Sequence, residues 1–341
     1  MPINKKVIKK YIDHLRLELS DETNLEYYLS QHLRVNGLYW TKISTQLIDL
    51  NDEENVVQWL KKCYCKDEGA FSPYPGHDAH ILSTLSAIQL IVIYGDIEFL
   101  KEVLTNAVFY IKNLQLSSGA FKGDLFSEEV DTRFSYNSLH ILYYTKKFLP
   151  NVFDQQNLED VVTKALVYLK TCNNYDGGFG LRPGCESHGA QVWTSFASFA
   201  IWDKIDDYFS LEELENLKWW LLERQNPDGG LNGRPSKLSD CCYSWWCLAS
   251  LKLLNYSKNF DAECINLLDL KKLKNFIIGC QDEINGGISD RSGNVVDIFH
   301  TCFGLAGMSL IEEVLQEETY EIMDPRFCMT KKIIESLNKL T

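Results

Sequence analysis

The sequence predicts an all-α protein made of stacked helical hairpins, and three observations carry that prediction. Glycine turns recur five times along the 341 residues, about 50 to 58 residues apart. Apolar residues fall at three- and four-residue spacing on both sides of most turns. Period-two alternation is scarce, so a sheet is not expected.

The turns are DEGAF ending at Phe71, SSGAF ending at Phe121, DGGFG from Asp176, DGGLN from Asp228 and NGGIS from Asn285. The helical patterns before them read VVQWLKKCYC, AVFYIKNLQ, ALVYLKTCN, LKWWLLERQ and LKNFIIGCQ. Each has an apolar face and a polar one, as an outer helix requires. The patterns after the turns read ILSTLSAIQLIVIY, SYNSLHILYYTK, QVWTSFASFAIW, CYSWWCLASLKLL and FHTCFGLAGMSLI. These are apolar on most faces and therefore belong inside. Hairpins stacked in this way form either an open solenoid or a closed ring. About six of this length close into an α/α toroid (an α6–α6 barrel) around an apolar central cavity. Periodicity alone does not choose between the two. No Pro-, Gly- or Ser-rich linker interrupts the pattern, so one domain is expected.

Formal net charge is −13, with 45% hydrophobic and 24% charged residues. No basic stripe suits a nucleic acid. An acidic surface repels anionic membranes, so an anionic ligand needs a local cationic pocket. The longest apolar run, LSAIQLIVIYG, is too short for a membrane span. The start, MPINKKVIKKYIDHLRLEL, lacks the apolar core of a signal peptide. These features read as cytosolic, with the eleven cysteines as reduced thiols.

One stretch, LSDCCYSWWCLASL from Leu238, puts an acid at the mouth of an apolar helix. Mid-helix, Asp240 and Cys242 would point about 200° apart. Only at a helix entry can they face one ion. Asp240 is therefore placed near the N-cap and Cys242 in the first turn, with Cys241 turned away. His300, opening the next inner helix, supplies a third ligand, and Asp297 is a candidate to orient it. Such an oxygen, sulfur and nitrogen set leaves one tetrahedral position open, as in catalytic zinc. On spacing alone the same residues also read as a helix cap, a core thiol and a satisfied histidine. His77 and His80 read as a helix start, and Cys63 and Cys65 as helix-end core.

Upstream, NGRPSK supplies Arg234 and Lys237, and ESHGAQ puts His188 beside the small Gly189 and Ala190. Tyr243 adds a hydroxyl. Cations, helix N-termini and a zinc ion together suit a diphosphate. Leu85, Tyr136, Phe196, Trp245 and Trp246 lie on expected inner helices and could line a pocket for a long apolar chain.

The stretches GGFGLRPGCESHGAQ, GGLNGRPSKLSDCCYSWWCLASL and GGISDRSGNVVDIFHTCFGLAG closely resemble the β subunits of protein prenyltransferases, and among them the type II (Rab) geranylgeranyltransferase branch. EVDTRFSYNSL, GHDAHILSTLSAIQ, LRVNGLYW and DPRFCM strengthen the resemblance, which covers about residues 25–330. That leaves 1–24 as an N-terminal helical extension and 331–341 as a C-terminal tail. The resemblance implies an α/α barrel paired with a helical-repeat α subunit. It implies zinc on Asp240, Cys242 and His300, activating the cysteine thiol of a Rab GTPase that an escort protein presents. Geranylgeranyl diphosphate would be bound by His188, Gly189, Ala190, Arg234, Lys237, Tyr243 and Ser244. Trp245, Trp246, Arg133, Tyr136, Leu85 and Asn36 would line the lipid pocket. Asp290 matches a carboxylate linked to magnesium in the farnesyl enzyme. Leu85 stands where the farnesyl enzyme has a tryptophan, which leaves room for the longer lipid. Two positions depart from the pattern: Asn36 replaces a serine, and Gly189-Ala190 reverses the usual order.

Rival readings remain at this level. A type I or farnesyl β subunit shares the zinc and diphosphate residues. A terpene cyclase shares the barrel but needs an acidic cluster, for which DKIDD at 203–207 is the nearest candidate. An inactive helical-repeat scaffold would have no use for the three ligands.

Overall fold

The computed structural model describes residues 3–50, 54–260 and 263–339; residues 1–2 and 340–341, the outermost ends of the expected extension and tail, lie outside the described residues. Twelve of the described helices alternate between an outer and an inner layer. The outer ones are α1 (Lys5–Ser20), α3 (Val57–Cys63), α5 (Ile97–Leu114), α7 (Leu158–Thr171), α9 (Leu211–Leu222) and α11 (Leu270–Gly279). The inner ones are α2 (Arg34–Leu47), α4 (Ile81–Tyr94), α6 (Thr132–Phe148), α8 (Gly189–Ile201), α10 (Tyr243–Leu253) and α12 (Ile298–Leu315). Each inner helix packs on the next, and α12 packs back on α2. The stack is therefore a closed ring, the choice that periodicity left open.

The turn glycines explain how the wall is assembled. Gly69, Gly119, Gly177, Gly229 and Gly286 all have positive φ, between 74° and 92°. Each also abuts the backbone of the following outer helix. A Cβ on Gly119 would lie 2.2 Å from the Lys164 carbonyl oxygen in α7. One on Gly286 would lie 2.1 Å from the Val7 carbonyl oxygen in α1. Only glycine meets both demands. The last turn thus docks on the first helix, and α1 fills the outer position that completes the wall. The segment 1–24, expected as an extension, places its helix inside the architecture.

Strand content among the described residues is small. Tyr64–Cys65 (β1) pairs with Ala70–Phe71 (β2), and Met323–Asp324 (β3) pairs with Met329–Thr330 (β4). The β3–β4 tip reaches in among the inner helices. Gln89 Nε2 donates to the Phe327 carbonyl at 2.9 Å, Tyr136 Oη to that of Arg326 at 2.9 Å and Trp193 Nε1 to that of Pro325 at 2.8 Å. Tyr39 Oη donates to the Cys328 carbonyl. Four inner helices hold this plug, and α13 (Lys331–Asn338) follows it.

The longest unbroken apolar run in the sequence is too short to span a membrane, but the 18-residue α12 meets that test of length and composition. Its glycine, serine and threonine residues hide it from a search for unbroken apolar runs. In the ring it is mostly buried, as a central wall helix must be.

Candidate functional site

Because each hairpin runs outer helix, turn, inner helix, the inner N-termini share one end of the barrel. His80, Asp131, His188 and Asp297 cap four of them, each side chain accepting from a backbone N–H. At the fifth, α10 begins at Tyr243, so Cys242 takes the cap position and Asp240 precedes it. This is one to two residues later than the sequence reading. The cause is a tight turn, in which Asp240 Oδ1 accepts from Cys242 N at 2.9 Å.

Asp240, Cys242 and His300 offer ligand atoms that all lie within 4.8 Å of one another. His300 Nε2 is 3.4 Å from Asp240 Oδ1, and its Nδ1 is 2.6 Å from Asp297 Oδ2. The second contact fixes the ring so that Nε2 faces the cluster. Burial opposes the charged form of His300, yet the Asp240 and Asp297 carboxylates outweigh it and push its pKa up to about 10. Burial, then the Asp240 carboxylate, holds the Cys242 thiol well above its ordinary value. The pocket is therefore deficient in positive charge, and a soft divalent cation is what this oxygen, sulfur and nitrogen set accommodates. The donor set fits zinc.

Asp290 is different. Its Oδ2 accepts from Arg291 Nε at 2.9 Å and its Oδ1 from Asn294 Nδ2 at 2.8 Å. No cluster of His, Cys or acidic ligands includes it among the described residues. Both Asp290 oxygens are thus already engaged by neighbouring side chains. The acidic DKIDD stretch is also spent locally: Asp206 accepts from Ser257 Oγ and Lys258 N.

Beside the triad, His188 Nδ1 accepts from Ala190 N at 3.3 Å, so the ring proton of the neutral form sits on Nε2. Nε2 lies 3.0 Å from Tyr243 Oη and donates to it. The Tyr243 hydroxyl is then left with its own proton to give. Burial and the neighbouring Arg234 hold His188 below its ordinary pKa, which keeps it neutral. Arg234 pairs with the exposed Glu186, and Lys237 is exposed on the same loop. Gly189 N donates to the Gly233 carbonyl at 2.7 Å, which joins this loop to the start of α8.

The apolar interior is more aromatic than expected. Trp246 packs on Trp193 with ring centroids 5.1 Å apart and on Phe303 at 4.4 Å; Phe299 lies 4.7 Å from Phe303 and 5.2 Å from Trp40. Trp40, Trp193, Phe299 and Phe303 were not among the expected pocket residues, although helical spacing from Asn36 to Trp40 and from His300 to Phe303 was an available signal. Phe196 itself faces outward onto Phe209, 5.6 Å away. Ser244 and Trp245 are 0% exposed, and Ser244 packs against Gly307 of α12. Both serve the contacts between helices and present no surface to a ligand. Leu85 and Tyr136 are buried at 4% exposure on α4 and α6, and Asn36 is half-buried on α2 with an unpaired Oδ1. Arg133 is held by the buried Asp131 through Nε at 3.0 Å and Nη2 at 2.8 Å. Its side chain stays exposed near the start of α6.

The prenyltransferase alpha-alpha toroid domain matches residues 5–329 of the chain. The chain belongs to the prenyltransferase family. The matched span takes in α1, as the closed wall requires. Prenyltransferase relatives are similar over most of their length. The chain is 40% identical over 335 residues to the geranylgeranyl transferase type-2 subunit beta of Saccharomyces cerevisiae, covering 97% of this chain and 96% of that one. It is 40% identical over 305 residues to the Candida albicans protein of the same name, covering 83% and 82%. Among solved structures, Candida albicans protein geranylgeranyltransferase-I complexed with GGPP matches with TM-score 0.78 at 20% identity, over 99% of both chains. That last likeness is one of fold.

Proposed function

We propose that the chain is the catalytic β subunit of a type II protein geranylgeranyltransferase. In this reading it pairs with a helical-repeat α subunit in the cytosol. It transfers geranylgeranyl from geranylgeranyl diphosphate to C-terminal cysteines of Rab GTPases presented by an escort protein. The observation that carries the reading is the meeting of Asp240, Cys242 and His300 within 4.8 Å at the mouth of an aromatic-walled barrel. The near-full-length likeness to type-2 β subunits supports the branch.

Zinc, held by Asp240, Cys242 and His300, would keep the substrate cysteine as a thiolate at neutral pH. Asp297 orients His300 for that task. Trp246, Trp193 and Phe303 hold the isoprenoid and exclude water from its first carbon. The Tyr243 hydroxyl, with its proton freed by His188, donates to a diphosphate oxygen. Arg234 exchanges its exposed Glu186 partner for the anion, an exchange of small cost for an exposed pair, and Lys237 closes from the same loop. The thiolate forms the C–S bond at C1 as the C–O bond breaks. The electron pair leaves with diphosphate, where these donors meet the growing charge.

The test is co-expression with an α subunit, followed by transfer of labelled lipid to a Rab–escort complex. Geranylgeranyl diphosphate should be used well ahead of farnesyl diphosphate. Absence of transfer, or preference for the shorter lipid, would overturn the reading.

A further inference from the structure

The internal repeat supplies its own control for one unusual residue. At or just past the ends of outer helices α3, α5, α7, α9 and α11, a carbonyl accepts from a backbone N–H just beyond the glycine turn. The pairs are Cys63 with Ser72, Leu114 with Lys122, Cys172 with Gly180, Arg224 with Asn232 and Cys280 with Ser289, at 2.9 to 3.1 Å. The first member of every pair is buried, at 0% to 3% exposure. Four of the five are thiols or leucine, so the fold is satisfied by a small or apolar side chain there. Only the repeat that carries Arg234 and Lys237 places a guanidinium at this position.

A buried charge is costly, and Arg224 has little to offset it. Its nearest carboxylate oxygen, on the exposed Glu223, is 3.8 Å away. Its guanidinium lies over the Trp220 ring at 4.5 Å, and Nε donates to the Trp220 carbonyl at 2.9 Å. The remaining contact is directed: Nη1 donates to Asn232 Oδ1 at 3.3 Å. Asn232 Nδ2 in turn donates to the Lys237 carbonyl at 3.1 Å, and Asn226 Nδ2 donates to the same oxygen at 3.1 Å. Gly233, next in the loop, accepts from Gly189 and wedges against the Tyr243 ring.

We propose that Arg224 is a positioning residue for the diphosphate pocket: it anchors Asn232, and through Asn232 the loop 232–237 that presents Arg234 and Lys237. The inference rests on the prenyltransferase reading above. It assigns to a residue outside the ligand's reach the task of presetting two cations that would otherwise spread into solvent. Preset charges are what a developing anion exploits, because no reorganisation is left to the moment of bond breaking. The guanidinium also adds a positive charge beneath the pocket that no carboxylate within hydrogen-bonding distance cancels.

The test uses the α/β heterodimer with Arg224→Cys, the side chain that sister repeats carry at Cys172 and Cys280, and with Arg224→Lys. Three quantities are measured: inhibition by inorganic diphosphate, affinity for geranylgeraniol (the lipid without its anion), and bound zinc. For Arg224→Cys, inhibition by diphosphate should weaken about 10- to 100-fold, the value of a hydrogen bond to a charged group. Geranylgeraniol affinity and zinc content should stay within about twofold of the parent, a difference below the usual coupling between independent sites. Arg224→Lys should recover part of the loss. Diphosphate inhibition unchanged in Arg224→Cys would overturn the proposal. So would a parallel loss of diphosphate, geranylgeraniol and zinc, or failure of both variants to fold, since each marks a role in the fold alone. A parent heterodimer that consumes no geranylgeranyl diphosphate would instead sink the functional reading.

Discussion

At the level of single residues, the site depends on groups that are unstable when isolated. Cys242 is buried beside a carboxylate, and Asp240 and Asp297 both press on His300. A cation relieves all of them together. His300→Ala and Cys242→Ala should each lose stoichiometric zinc and thiol alkylation while lipid diphosphate still binds; metal analysis and a binding titration check this. Full zinc with full turnover in His300→Ala would remove that ligand. A second histidine has no part in the chemistry. His140 is 0% exposed among Tyr136, Tyr144 and Phe327, and both ring nitrogens are unpaired. Burial pushes its pKa down to about 3. An unfolded histidine takes its proton near pH 6.5, whereas this one does so only near 3. Its contribution to stability is therefore present above about pH 6.5 and is lost as pH falls toward 3, at about 1.4 kcal/mol per unit. Denaturant melts at pH 7 and pH 5 should differ by about 2 kcal/mol from this group, and His140→Phe should remove that part.

At the level of elements, helix identity was readable because inner and outer helices differ in how many faces are apolar. One helix start was readable too, since His80, read as a helix start, caps α4. The start of α10 was less so, because the Asp240 side chain closes a tight turn onto Cys242 N before the helix begins. Ser244 and Trp245 were misread for a related reason. An inner helix touches two neighbours and the cavity, and spacing alone does not say which face meets which. The glycine turns carry the sharpest element-level prediction. Gly119→Ala forces a positive φ on alanine and a contact with the Lys164 carbonyl. It should cost about 2 to 4 kcal/mol, read from thermal or denaturant unfolding of the complex.

For the whole molecule, closure is the decisive property. A solenoid ends on exposed caps, whereas here Gly286 of the last turn docks on Val7 and Tyr11 of α1. Deleting residues 3–20 should therefore expose the last hairpin and destabilise α12 with its His300. The expected outcome is loss of zinc retention at a distance, with faster hydrogen exchange in α11 and α12. Unchanged exchange there would mean that the wall tolerates a gap. The sequence by itself determined the hairpin repeat, the alternation of inner and outer helices, and the residue types of the candidate metal and anion sites. Periodicity and chemical type are local properties, and a one-dimensional string preserves them. Tertiary structure alone decided that the ring closes through α1, that the β3–β4 tip plugs it, and that Asp290 is held by Arg291 and Asn294. It also decided that Arg224 reaches Asn232. Those facts depend on which faces meet across tens or hundreds of residues, and helical spacing records a face without recording what lies against it.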